Sequence, residues 1–472
     1  MMPRISLIPS LFIILCLAVS CNKPNSDDTL RFSTPIVHFD TVFTAIGSIT
    51  RNFTVHNPSN SDITTTIFLA GGKNSYYSIN VNGVSGISFK DVTIPKKDSI
   101  FIFVKVNINP GNINEPFLVT DSIVFLTGQQ RKQDVKLLAY GQDANYIIAN
   151  QGSGNLRYKV VAGEHETVTW TKNKPYVVHG FAVIDSTGTL IIEPGTRVYF
   201  HNNSGLWAYR YSNLEVRGTL DEPVLCRGDR LEKWFDDDYA QWSKIWINEG
   251  AKVSINNAII TNAFIGVQVE PLPGKDIAIV PDVTVKIENT IIKNTKHCGV
   301  LSRFLNVDMT NCVIANNGAS GLQLEGGKYT MKHITIANYF NQAERKVPTC
   351  YVSNVVSGYY NFSDTPMDIN AEFINCIITG KNETEVEFKK VKGVDLEATF
   401  QNCLVKAKSG STNFVECLRN KDPKFIDTTK LDFRLQASSP VIGKGKDIKV
   451  LYDILGNPRG NPPDMGAYQY EH

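Results

Sequence analysis

The sequence predicts an all-β chain in which an antiparallel β-sandwich precedes a parallel β-solenoid. Two observations carry that expectation. Short alternating strands separated by turn clusters fill the region before about residue 144, and from about residue 167 a set of apolar columns recurs behind an Asn. Composition agrees with a folded chain: 42% of the 472 residues are hydrophobic and 20% are charged. Lys plus Arg exceed Asp plus Glu by only 48 to 46, a net +2, so no global field exists to hold nucleic acid.

The first thirty residues read as an address. An apolar run from Leu11 to Val19 follows Arg4 and ends at Ser20-Cys21. It is too short to span a bilayer and has the form of a secretory signal over residues 1–20. Small residues followed by Cys resemble the bacterial lipobox, which implies that Cys21 becomes a lipidated first residue; a plain signal peptide is the alternative. Residues 21–30 are polar and Pro-broken, as a tether would be. Ser26-Asp27-Asp28 resembles the acidic export signals of surface lipoproteins in some Gram-negative bacteria, implying an outer-membrane lipoprotein at the cell surface rather than the periplasmic face. Nine Cys lose Cys16 to cleavage and Cys21 to lipid, which leaves an odd seven and no C-x-x-C pair, so no zinc site is expected.

Residues 31–144 supply the sandwich. Ile49 to His56, Asp62 to Leu69 and Ile100 to Val106 alternate apolar with polar, and Asn57-Pro58-Ser59-Asn60-Ser61 punctuates them. The pattern is similar to the immunoglobulin-like modules of bacterial surface proteins, which implies a spacer or docking platform. Residues 145–166, with Gly152-Ser153-Gly154-Asn155, read as linker and N-terminal cap.

Residues 167–420 carry the repeat. Aligned on Asn257, Asn289, Asn311, His333, Asn375 and Asn402, the columns two and four residues earlier are apolar: Ile255, Ile287, Met309, Met331, Phe373 and Phe400, then Val253, Val285, Val307, Tyr329, Ala371 and Ala398. The intervening columns are polar except at Ile374, and Ile260, Ile292, Ile314, Ile336, Ile378 and Val405 follow the anchors by three residues. Spacings of 32, 22, 22, 42 and 27 give a coil of 22 with the excess bulging as loops. A period-2 strand repeated once per coil describes a right-handed parallel β-helix, and Asn tolerates the left-handed backbone of a sharp corner. His333 reads as a turn residue in that ladder. Cys312, Cys376 and Cys403 share the column after the anchor; stacked thiols are preferred there to a Cys376–Cys403 disulfide.

Upstream, Gly188 to Phe200 and Leu214 to Thr219 look like opening coils of bacterial β-helix proteins. Asp453 to Gly460 and Asp464-Met465-Gly466-Ala467-Tyr468 resemble a recurrent terminal motif of that group, so residues 421–472 are expected to cap the solenoid. The whole resembles the uncharacterised right-handed β-helix lipoproteins of Gram-negative bacteria, within the pectate-lyase-like superfamily. That resemblance implies a fold and no particular activity.

The candidate chemistry lies where the repeat is interrupted. Arg230, Trp234, Asp236, Asp237, Asp238, Tyr239 and Trp242 have the composition of a sugar platform, aromatic faces beside groups that fix hydroxyls or carboxylates. The alternatives are a Ca²⁺ site on the three aspartates and a loop that merely packs on the coils. Arg227-Gly228-Asp229 matches an adhesion tripeptide that arises readily by chance. Trp207, Tyr209 and Tyr211 alternate, with inward packing expected over an outward strip. Lys296-His297 and Arg303 could supply a base and an anion clamp, yet the Gly-His-Gly, Asn-Thr-Asp and Trp-Ile-Asp-His elements of β-helix polysaccharide hydrolases and lyases are missing. The expectation is therefore an envelope lipoprotein that binds a polymer, with a glycan as the expected ligand. It would bind without a cofactor, without nucleic acid, and with the membrane met only through its lipid. A polysaccharide lyase or hydrolase on the same face, and a structural or adhesive surface protein, are the alternatives.

Overall fold

A computed structural model of the chain describes residues 29–471 apart from 40–41, 44–49, 109–116, 129–130, 232, 273–283, 361–362 and 409–412. The signal segment, Cys21 and all but the last two residues of the expected tether lie outside the described residues. Among the described residues no helix is long and apolar enough to cross a membrane. The chain divides into two compact units near residue 140.

The first unit is a sandwich of antiparallel strands, with a parallel pair between Ile36–His38 and Arg131–Gln142. One sheet orders Arg31–Phe32, Arg51–His56, Ser99–Val106, Tyr77–Val81 and Val84–Gly86; the other contains Ile36–His38, Arg131–Gln142, Phe117–Thr127, Ile63–Leu69 and Ser88–Ile94. Alternation does the work: Ile100, Ile102, Val104 and Val106 are buried while their strand neighbours face out.

The second unit is a parallel β-helix with three walls. Among the described residues, wall A holds ten strands from Thr167–Trp170 to Phe414–Val415, wall B eleven from Asn145–Ile148 to Leu418–Arg419, and wall C nine from Tyr158–Ala162 to Val386–Lys389. Each coil runs A, B, C. Residues 145–162 already supply strands of walls B and C. The Gly-rich stretch that reads as a linker is thus a corner of the first coil.

The repeat columns map onto this frame without slippage. Val253 pairs with Val285, that with Val307 and that with Tyr329 on wall A, and Ile260, Ile292, Ile314 and Ile336 stack on wall B. All are interior. Phe373 lies on Phe400 at 4.3 Å with rings 5° apart. The six anchors turn the A/B corner with φ between 48° and 57°, and Glu416 continues them at 51°. This is the left-handed region that a short hydrogen-bonding side chain can hold. Asn311 Nδ2 donates to Asn289 Oδ1 at 3.2 Å, and Asn375 Nδ2 to His333 Nε2 at 2.9 Å. Cys312, Cys376 and Cys403 are free and buried, and the backbone N–H of Cys376 points at Cys403 Sγ at 3.2 Å.

The C-terminal segment runs back along the solenoid rather than only closing its end. Phe433, Val441, Met465 and Tyr468 pack on the outward side chains of wall B, among them Val313, Ile377 and Leu404. The strap also satisfies the corner: Asn375 Nδ2 donates to Lys446 O at 2.8 Å, and Arg459 Nη2 donates to Asn311 Oδ1 at 2.8 Å. Gly466, at φ 90°, comes so close that a Cβ there would meet Thr335 Oγ1 at 2.7 Å. The aspartates of the terminal motif hold the strap's own turns: Asp453 accepts from Leu455 and Asn457, and Asp464 from Gly443 and Tyr470.

Candidate functional site

The outer surfaces of the three walls differ. The strap covers wall B from Ile291 to Leu418. Wall A presents exposed polar columns such as Ser254, Lys286, Asp308 and Glu372. Wall C and its corner with wall B carry the unusual chemistry, because this is where the repeat is interrupted.

On the outside of wall C, Val183, Trp207, Trp246, Gln268, Leu301 and Gln323 fall in one column, since parallel strands in register place equal positions above one another. Trp207 stacks on Trp246 at 4.5 Å and 21°. The Trp207 indole donates to Asn248 Oδ1 at 2.6 Å, whereas the Trp246 indole N–H, on a ring only 8% exposed, meets no acceptor among the described residues. Such a buried donor costs free energy until something accepts from it.

A groove of about 400 Å³ runs along this corner. Trp246, Lys244, Phe181, Leu156 and Phe264 line it, with Asn202, Asn203 and Ala240 on its rim. Phe264 is 41% exposed and stacks on the His297 ring at 5.9 Å, which leaves a ring face open to solvent. Lys244 Nζ donates to Gln268 Oε1 at 2.6 Å and lies 5.3 Å from the Trp246 ring centre.

Beside the groove, on the next outward column, Arg303 bridges two buried carboxylates, Nη1 to Glu270 Oε2 at 3.2 Å and Nε to Glu325 Oε2 at 3.0 Å. Gln268 and Gln323 donate to the other oxygens of Glu270 and Glu325 at 2.5 and 2.6 Å. Burial raises the Glu270 carboxyl above its ordinary value despite the opposing pull of Arg303 and Lys244. Burial lowers the Lys244 ammonium, with Glu270 opposing and Arg303 adding to the fall. Burial and then Arg303 lower His297.

The sequence-predicted platform is placed differently. Trp242 is an interior residue, 1% exposed, stacked on Phe200 at 4.3 Å with its indole donating to Thr261 O at 2.8 Å; as a ligand-binding residue it is corrected to core. The Trp234 side chain lies outside the described residues. Asp236 pairs with Arg227 at 3.0 Å, Arg230 lies 3.9 Å over the Phe235 ring, and Tyr239 packs on Phe340. Backbone carbonyls of Asp236 and Asp238 accept from the Asn262 amide. The segment is thus clamped onto the B/C corner, and of its far end only Ala240 and the edge of Trp242 line the groove. Asp237 and Asp238 are exposed, and the three carboxylates do not converge as a Ca²⁺ site would need: among the described residues the three metal-capable groups that do converge are His179, His201 and Asp229. Trp207 and Tyr209 are not inward-facing either. Leu206 and Ala208 fill the interior, and the outward ring of Trp207 is covered by Phe181, Trp246 and Tyr209. Tyr211 is exposed at a corner with φ 62°. Of the Arg-Gly-Asp triplet, Gly228 is buried and Arg227 donates to Arg230 O at 3.0 Å.

No known family pattern and no curated protein matches the chain. Solved structures show distant likeness. The ASH/PapD-like domain of human CEP192 is 11% identical over 30% of this chain and 97% of its own, with a TM-score of 0.18. A protein of unknown function from Porphyromonas gingivalis is 10% identical over 30% of this chain and 58% of its own, at 0.19. The catalytic domain of a GH87 alpha-1,3-glucanase in complex with nigerose is 8% identical over 74% of this chain and 92% of its own, at 0.12. At these scores none bears on what the chain does.

Lys244, Phe264, Gln268, Glu270 and Glu325 escape a reading by motif, because they belong to three different coils. The signal that could find part of this corner is the column five residues after the first four anchors, where Asn262, Asn294, Asn316 and Asn338 recur. The first three are left-handed, and Asn316 Nδ2 donates to Asn294 Oδ1 at 2.7 Å.

Proposed function

We propose that the protein is a lipid-anchored outer-membrane protein of the pectate-lyase-like group whose β-helix binds an anionic glycan in the groove at the B/C corner. One observation carries the reading: an exposed aromatic ring, Phe264, and an ammonium, Lys244, share one groove of about 400 Å³ with the Trp246 ring in its wall. A pyranose would stack on Phe264 and a uronate carboxylate would meet Lys244. The N-terminal sandwich, read as immunoglobulin-like, then serves as a spacer between a lipid on Cys21 and the coils.

A second reading is favoured by the displaced proton affinities of Lys244 and Glu270. The same corner would cut its polymer, with one of the pair accepting and the other donating a proton. Array binding of the intact protein to acidic glycans tests the first reading, and loss of retention in Phe264→Ala and Lys244→Gln locates it. Equal retention by both variants, or none by the parent, rejects the groove. A rise in ultraviolet absorbance on a uronate polymer, abolished in Lys244→Gln, would establish elimination chemistry.

A further inference from the structure

Three successive coils of wall B end at the same corner position in His179, His201 and Asp229. The pairings Val178 with Phe200 and Phe200 with Gly228 put these residues next in register, one above another. Parallel strands separate such positions by about 4.8 Å, and here a ligand atom from each of the three lies within 4.8 Å of the other two. The imidazoles stack with centres 4.5 Å apart, and His201 Nδ1 is 2.7 Å from Asp229 Oδ2. Their backbone is held by the sheet: Ala149 N–H donates to His179 O at 2.8 Å, His201 N–H to Val178 O at 2.9 Å and Asp229 N–H to Phe200 O at 3.0 Å. An ion pair explains His201 and Asp229, but it does not use His179.

We infer that His179, His201 and Asp229 form a site for a single zinc-class divalent ion, built on a ladder of coils. Two imidazoles and one carboxylate suit Zn²⁺ and its neighbours in the first transition row, whereas Ca²⁺ would need more oxygen donors. Three protein ligands leave coordination positions open. Both histidines line a cavity of about 320 Å³, bounded also by Asn155, Arg157, Asn202 and Asn203, so the open positions face solvent. Arg157, like Arg230 beside Asp229, favours an anionic group as the remaining ligand. The three asparagines are shared with the glycan groove, but the metal site rests on its own residues and does not depend on the glycan reading.

The test uses the full protein without a histidine tag, stripped of metal by dialysis. Titration calorimetry with Zn²⁺ should give one ion per chain, and Co²⁺ should show the visible absorption of a low-symmetry site. His179→Ala, His201→Gln and Asp229→Asn should each weaken binding by roughly tenfold or more, while His165→Ala, an exposed histidine elsewhere, leaves it unchanged. Zn²⁺ should also shift the imidazole resonances of His179 and His201 in the parent protein, a readout that needs no variant to fold. No stoichiometric binding, affinity equal in parent and variants, or unshifted resonances of these two rings would overturn the site.

Discussion

The A/B and B/C corners are turned by the same residue type in the same backbone conformation, yet only one of them is open. At A/B, each anchor from Asn289 to Asn375 is followed at the next coil by another amide or imidazole, and the strap supplies what the ladder lacks through Lys446 O, Tyr452 O and Arg459. At B/C, Asn262 and Asn294 spend their amides on the carbonyls of the 236–238 segment. A sealed corner can take apolar residues on its outer wall. An open corner keeps a groove, an exposed ring and an indole donor without an acceptor among the described residues. The regular corner therefore specifies the fold, and the irregular one carries the groove proposed above to hold a glycan.

The largest expected effect breaks the sealed side. Ile377 faces outward from wall B but lies under the strap, so Ile377→Asp buries an unpaired carboxylate and should cost more than about 3 kcal/mol, read as a fall in chemical-denaturation midpoint. If the midpoint holds, the strap does not seal this wall. Next is pH. Burial first, then Arg459, depresses His333 from 6.5 to about 3, while the unfolded chain titrates near 6.5. The folded state thus binds fewer protons, and its stability is full above pH 6.5 and declines as pH falls toward 3. The loss by pH 4 is roughly 3 kcal/mol. His333→Asn, which restores the ladder residue, should flatten that decline in melts taken between pH 7 and 4, whereas an unchanged slope would place the acid sensitivity elsewhere.

Two smaller changes sharpen the open side. Asn294→Ala removes a left-handed Asn and its bonds to Asn316 and to the 236–237 segment. About 1–2 kcal/mol of stability should go, with faster proteolysis near residue 236. Phe264→Ala should alter stability by no more than about 0.5 kcal/mol while lowering glycan retention roughly three- to tenfold. A large loss of stability with unchanged retention would recast Phe264 as a packing residue.

Much of this contrast is legible in the chain. Anchor columns such as Val285, Ile287 and Ile292 follow from period-2 burial, because a strand with one inward face admits few other patterns. The outer-wall chemistry is hidden, since Lys244, Glu270, Arg303 and Glu325 stand in successive coils and meet only through register. Trp242 misleads for a related reason: beside three aspartates it looks like part of a binding platform, but its position just before wall C turns it onto Phe200 inside.

By itself the sequence determined the solenoid, its coil length and the Asn that turns each coil, because these depend on local periodicity and on which side chains endure a left-handed backbone. Only the tertiary structure decided which wall is covered and which groups share a groove or a would-be metal site. Stacking brings together residues one coil apart in space and some twenty to forty apart in sequence, and nothing in the intervening chain records the meeting.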